Sequence, residues 1–267
     1  MFDVQVGANV AFTNDSVKAY DKLHFYPVVH TDIRLFDKLL TAFLGLDGEM
    51  QKNTLRSIVQ ENPFLGSNIM LYHTNKALEF YGGGKGVLAD KVDYTVKLSY
   101  INYKNLYLFN NSIADSSRFN VFYAQGNSSA VNFNAGLGYE VASQWRLGID
   151  ANFTGYSIAD KDTLKLGAWH RPTTRINIYT TYNLKNKIFF NINFYYIGGI
   201  KARNFNLKKE DITLDAAVDL SAKVEYKVSN SFSSFLEVNN LIGKKYQLLQ
   251  YYPSKGINLL LGLTYSF

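Results

Sequence analysis

The sequence contains no cysteine, and that absence removes disulfide staples, thiolate metal sites and cysteine nucleophiles together. Proline is scarce, at 4 in 267 residues, so long hydrogen-bonded ladders can run with little interruption. No apolar run approaches the roughly 18 residues that a membrane-crossing helix needs. The N-terminus, MFDVQVGANVAF, lacks a basic stretch followed by an apolar one and so does not read as a secretory signal. A secreted chain numbered this way is expected to be a mature product or a piece of something longer. The formal charge is +6, but lysine and arginine are scattered, and the one-sided basic face of a nucleic-acid binder is missing.

What is abundant is aromatic: 20 Tyr and 19 Phe, a profile suited to pleated, half-buried surfaces. The C-terminal segment shows how they are used. Ile257, Leu259, Leu261, Leu263, Tyr265 and Phe267 fall on one face of a strand, against Asn258, Leu260, Gly262, Thr264 and Ser266 on the other. Strict period 2 over about 10 residues, apolar outward and small or polar inward, suits a strand that faces lipid. The pattern recurs upstream. Ala216, Val218, Leu220, Ala222, Val224 and Tyr226 alternate with Asp215, Asp219, Ser221, Lys223 and Glu225, and similar alternation runs through 131–139, 145–154 and 188–196. One such strand also fits a soluble sandwich; its repetition along the chain points to an antiparallel transmembrane β-barrel.

Short and long connections alternate between the strands. Tight turns are expected around Asp37, Asp90, Ala142-Ser143, Lys185-Asn186 and Ser229-Asn230. Long loops are expected over Thr13–Asp21, Gln51–Asn75, Ser157–Arg171, Lys201–Asp211 and Gly243–Lys255. Outer-membrane barrels show this asymmetry, with tight periplasmic turns and longer external loops. The predicted strands are 2–12, 22–36, 39–50, 76–88, 92–109, 117–140, 145–156, 172–184, 188–200, 212–228, 231–247 and 256–267. That is an even set of about twelve in one barrel domain over 1–267, with both termini at the tight-turn end. Pro27 and His30 are expected to weaken the second strand, and residues 125–129 to break the sixth. The glycines of Tyr81–Gly86 lie inside a strand, where they suggest a bend or close packing rather than a phosphate loop.

Near the C-terminus the residues become more specific. The stretch Leu236-Glu237-Val238-Asn239-Asn240-Leu241-Ile242-Gly243-Lys244-Lys245-Tyr246, followed by Tyr251-Tyr252-Pro253 and Gly256, resembles the penultimate and closing strands of TonB-dependent outer-membrane receptors. The richness in Tyr, Asn and Lys resembles receptors of Bacteroidetes-type bacteria. The resemblance implies the last strands of a barrel of about 22, and uptake of a scarce nutrient such as a metal chelate or glycan. It implies a Gram-negative outer-membrane location among lipid and lipopolysaccharide, and insertion by the barrel-assembly machinery, with Phe267 and Tyr265 as assembly signal. Asn239, Asn240, Leu241, Tyr246, Pro253 and Gly256 carry the family pattern. The family's signal peptide and plug domain have no counterpart in the sequence, so a TonB complex becomes a partner only if a longer chain supplies the plug. The chain is then either a fragment or a plugless relative that acts as a porin-like passive channel.

Some barrels of this size are enzymes at their outer rim. The 4 histidines, His24, His30, His73 and His170, form no convincing triad with nearby acids and serines, so a rim-active hydrolase is the least favoured reading. Neither a cofactor nor a metal is expected. Inward charges, Asp47, Glu49, Glu79, Lys97, Arg146, Asp150, Asp215, Asp219, Lys223, Glu225 and Glu237, are expected to line the lumen, either as a channel or plug surface or by pairing with one another. In the external loops, Trp169, His170, Arg171, Tyr251 and Tyr252 are candidate ligand contacts or interfacial anchors.

Overall fold

The computed structural model describes residues 2–14, 22–159, 167–203 and 211–267. Twelve strands form one antiparallel meander in which each pairs only with its neighbours along this series. They are Phe2–Phe12, Leu23–Phe36, Leu40–Gln51, Thr74–Leu88, Val92–Asn111, Phe119–Ala142, Trp145–Ser157, Thr174–Leu184, Ile188–Gly198, Ala217–Lys227, Phe232–Asn239 and Asn258–Tyr265. Phe2 pairs with Ile33 and Tyr265 with Phe232, which puts both ends of the meander beside the tight turns. Phe2–Phe12 and Asn258–Tyr265 are edge strands, each laddered on one side.

The sheet curls strongly. Phe64, in the connection after the third strand, stacks on Tyr252, in the connection before the twelfth, with ring centroids 3.4 Å apart. In a flat sheet at about 4.8 Å per strand these loops would be separated by more than about 30 Å. The polar face is the enclosed one: Glu79, Ser99, Thr154 and Ser233 are buried on it. The apolar face looks outward. Phe80, Leu98 and Val131 in the middle of the sheet are at least 50% exposed, and Leu259, Leu261 and Leu263 are 65–75% exposed. A water-soluble protein would hide these side chains; an apolar exterior around a polar interior is the arrangement of a transmembrane β-barrel wall.

Turn chemistry sets the register. Ala89-Asp90 and Lys185-Asn186 each have two consecutive positive φ values, the two-residue hairpin geometry whose twist matches that of the strands. Above the turns, Trp145, Tyr182 and Phe190 pair directly across three strands, forming part of an outward aromatic band. The ladder between the second and third strands starts at Val29, so Pro27 lies outside it and Leu23–Phe36 continues unbroken. Within Phe119–Ala142 the expected break at 125–129 is instead a bulge: Gly126 has φ 118, and the register with the preceding strand shifts around Asn105, whose φ is 59.

Glycines on the inner face carry aromatic rings. Gly45 pairs with Tyr81, Gly83 with Phe43, Gly148 with Tyr179 and Gly262 with Phe235. A Cβ on any of them would come within 3.0 Å of its ring. Ammonium groups cover three of these rings: Lys97 Nζ lies 4.1 Å from the Tyr81 centroid, Lys223 Nζ 4.6 Å from Phe235 and Lys85 Nζ 5.7 Å from Phe43. Flat rings over glycine keep the wall thin, and the cations replace a packed apolar interior. The glycine run at 81–86 is therefore a place of close packing, as its sequence suggested.

Several expectations need correction. The strand placed at 231–247 ends at Asn239, and the one placed at 212–228 begins at Ala217, leaving Asp215 in the connection before it. The surplus residues form two small hairpins, Lys201–Arg203 with Asp211–Thr213 and Gln247–Leu249 with Tyr252–Pro253. The 51–75 connection contains a helix, Leu55–Glu61, whose N-terminus is closed by reciprocal Thr54 and Ser57 hydrogen bonds. The loops expected over Thr13–Asp21, Ser157–Arg171 and Lys201–Asp211 lie in large part outside the described residues.

Candidate functional site

Alternation sends one residue in two to the inner wall, and on strands three to five these side chains form a charge cluster. Lys76 Nζ lies 2.8 Å from Glu79, 3.2 Å from Asp47 and 3.6 Å from Glu49, while Lys97 Nζ reaches Glu79 at 2.7 Å. His30 continues the chain, with Nδ1 3.1 Å from the Tyr81 hydroxyl and Nε2 3.4 Å from Asp32. His24 contacts Asn75 and Thr13. Neither histidine has a serine nucleophile among these partners. Glu79 bridges two ammonium groups in an enclosed site, so Glu79→Ala should destabilise the wall by about 2–4 kcal/mol by leaving both cations without their shared acceptor. Urea-unfolding midpoints in detergent read this loss, and Glu49→Ala, at an exposed partner, should move the midpoint little.

Elsewhere on the inner face several charges are also partnered. Arg146 reaches Asp93 at 2.6 Å and Glu140 at 3.5 Å. Glu225 accepts from Ser233 Oγ, Glu237 accepts from Asn239 Nδ2, and Lys223 covers Phe235. Asp150 stands opposite Gly136, among asparagines of the sixth and seventh strands. Asp219 has the largest local role. Its carboxylate accepts from Ser221 Oγ at 2.8 Å, the Asn240 backbone N–H at 3.3 Å and the Tyr246 hydroxyl at 3.2 Å. Burial, then the Asp219 charge, pushes the Tyr246 phenol up.

These contacts give the motif at 239–246 a physical meaning. Asn240 adopts φ 52, ending the strand, and its side-chain amide donates to the carbonyls of Lys244 and Lys255 at 3.0 and 2.8 Å. Gly243, at φ 70, completes the turn. Ser254 bonds to the Tyr246 backbone, Pro253 pairs with Gln247, and Gly256 has open space around it. Asn240 thus ties both ends of the 240–256 loop to the wall. Asn240→Ala should cost about 1–3 kcal/mol locally, seen as faster amide exchange across 241–256 with the neighbouring strands unchanged.

The third assembly is a cap over the long-loop end. Its apolar centre is Ile58, Phe109 and Phe119, packed with Phe64, Leu65, Leu71, Tyr107, Val121, Leu249 and Tyr252. Trp169 is 1% exposed; its indole N–H donates to Asp211 at 2.9 Å, and the Arg203 guanidinium lies 5.3 Å from its ring. His170 is 7% exposed and meets the Phe119 ring edge-on at 5.1 Å. Burial pushes its imidazole pKa down to about 4, opposed in part by its bond to the Leu248 carbonyl. Arg171 donates to the Tyr107 carbonyl at 2.8 Å and stacks on that ring. The Tyr252 hydroxyl donates to the Ser117 carbonyl. Of the loop residues singled out in the sequence, only Tyr251 keeps an open ring; the other four hold loops together. Ile58, Phe109 and Phe119 were missed, because apolar residues in separate loops carry no periodic signal.

At the opposite end Tyr265 and Phe267 are exposed, beside the tight turn at Val228–Ser231. Among the described residues no group of three metal-ligating side chains converges.

No protein-family model and no curated protein matches the chain in sequence. Solved structures match it in shape. The ferripyoverdine receptor of the outer membrane of Pseudomonas aeruginosa superimposes with a TM-score of 0.69 at 14% identity, over 100% of this chain and 36% of that one. The ferric-catecholate import receptor Fiu of E. coli K12 gives 0.68 at 14% identity, over 100% and 42%. The copper transporter OprC gives 0.64 at 14% identity, over 92% and 40%. The chain thus spans less than half the length of these proteins, and at such identity the likeness is one of fold: the barrel wall of outer-membrane receptors and transporters.

Proposed function

We propose that residues 1–267 are barrel wall of a TonB-dependent, receptor-like uptake protein in a Gram-negative outer membrane, importing a scarce nutrient of the metal-chelate or glycan class. The observation that carries this reading is the twelve-stranded meander, whose whole length follows receptor walls while polar groups line its inner face. The motif at 239–246 and the Bacteroidetes-like composition support it further. In a larger barrel, further strands would pair with Phe2–Phe12 and Asn258–Tyr265, each laddered on one side. A plug in that larger barrel would meet the charges of the inner face and contact the TonB complex. Phe267 and Tyr265 would serve the assembly machinery, with lipid and lipopolysaccharide against the outer face.

The experiment is deletion of the gene in its own host, followed by growth on single scarce sources, ferric chelates and oligosaccharides in turn. Loss of growth on one source, restored by the gene only in a strain with working TonB, is the expected result. Undiminished growth on every source would sink the uptake reading, and restoration without TonB would favour a passive channel.

A further inference from the structure

We infer that the loop cap is an acid-opened lid in which His170 is the proton acceptor that unlocks it. His170 follows Trp169 in a backbone turn of φ 56, and its N–H donates to the Lys201 carbonyl at 2.8 Å. Its side chain is buried against Phe119, the most enclosed residue of the cap centre. Nδ1 lies 3.3 Å from the Leu248 carbonyl oxygen. A carbonyl only accepts, so Nδ1 carries the hydrogen and donates it, which leaves Nε2 bare in the neutral ring. Nε2 is buried and has no hydrogen-bond partner among the described residues.

A second proton can add only at Nε2, where no described residue accepts it. Among the described residues, the charged and titratable groups that face it give no compensation. Arg171 is turned to Tyr107, Asp211 accepts from Trp169, and Arg203 lies over the Trp169 ring. Lys201 meets His170 through its carbonyl, Glu61 accepts from the Tyr107 hydroxyl, and the Tyr252 hydroxyl is given to Ser117. Among the described residues no carboxylate hydrogen-bonds to His170. A buried, unpaired imidazolium is strongly disfavoured, so the proton binds where the ring reaches water.

The open state takes up the proton near the ordinary histidine value of 6.5, and the closed state only near 4. The cap is therefore fully favoured above about 6.5, loses stability as pH falls through that window, and loses no more below about 4. One ring joins three loops: 167–173 carries it, 244–255 accepts its hydrogen, and the hairpin ending at Phe119 packs on it. Expelling His170 consequently loosens all three at once.

Trp169 supplies the readout, because the chain has 2 tryptophans and the other, Trp145, lies at the tight-turn end. Full chain with Trp145→Phe is reconstituted into liposomes, and acrylamide quenching of Trp169 is followed from pH 7.5 to 4. Quenching should be low at pH 7.5 and rise several-fold with a midpoint between 4 and 6.5. His170→Gln and His170→Asn can still donate to Leu248 but cannot become charged; they should stay weakly quenched throughout. A flat profile in the parent overturns the inference, as does an equal rise in a variant that is closed at pH 7.5. Should both variants be open at pH 7.5, the parent midpoint decides, and a value outside that window overturns it.

Discussion

Gly83→Val is expected to abolish the heat-modifiable folded band of this protein on cold gel electrophoresis. At Gly83 a Cβ would lie within 3.0 Å of both the Phe43 ring and the Val96 backbone oxygen. Moving the ring does not relieve the second clash, because the carbonyl belongs to the adjacent strand. Overpacking of this kind costs about 1–3 kcal/mol when side chains can yield, and a backbone obstacle puts this case at the top of that range or above it. Phe43 would also be driven from beneath Lys85 and away from Tyr81, so that two ring contacts fail together. Gly155→Val is the matched control, since nothing lies within 4 Å of its added Cβ. Equal folded fractions for the two variants would show that glycine is not what seats the rings.

Phe119→Ala should act at the other end and on a different unit. Phe119 is 0% exposed and touches His170 and Tyr252. Its backbone holds the 51–75 connection through the Phe64 carbonyl and the Gly66 N–H, both at 2.9 Å. Truncating a fully buried phenylalanine costs about 3–5 kcal/mol. Here the loss falls on the cap, whose contacts are made by loops, while the strand ladders below are untouched. The expected result is cleavage by external protease within 52–73 and 244–255, with the heat-modifiable band retained. Loss of both together would mean that cap and wall form one cooperative unit. If they are separate, the effects of Phe119→Ala and Gly83→Val add.

The wall was legible in the sequence and the cap was not, for a physical reason. A lipid-facing strand writes period 2 directly into its residues, and tight turns add Asp, Asn and Lys at fixed places, so strands such as Trp145–Ser157 fall within a residue or two of their predicted bounds. The pattern misled where alternation continued past the ladder. Ile242 to Tyr246 still read as strand, yet Asn240 turns the chain aside with φ 52. Helix Leu55–Glu61 spans 7 residues, too few for a helical period to stand out. The Thr54 and Ser57 pair was its only signal. Trp169, His170 and Arg171 stand out as chemically expressive side chains, but nothing local tells that their partners are Asp211, Leu248 and Tyr107.

The cap has a further consequence for the order in which this protein comes into being. Its most tightly packed residues are distributed over hairpin tips far apart in the chain; the Tyr252 and Ser117 pair alone spans 135 positions. For a wall threaded through a bilayer from the side where its termini lie, every one of those tips crosses the hydrocarbon before any of them can meet. Most soluble domains gather their apolar centre early and decorate it with loops. In a wall threaded this way the sheet, with lipid as its solvent, would precede the cap, whose residues meet only once all of these tips have crossed.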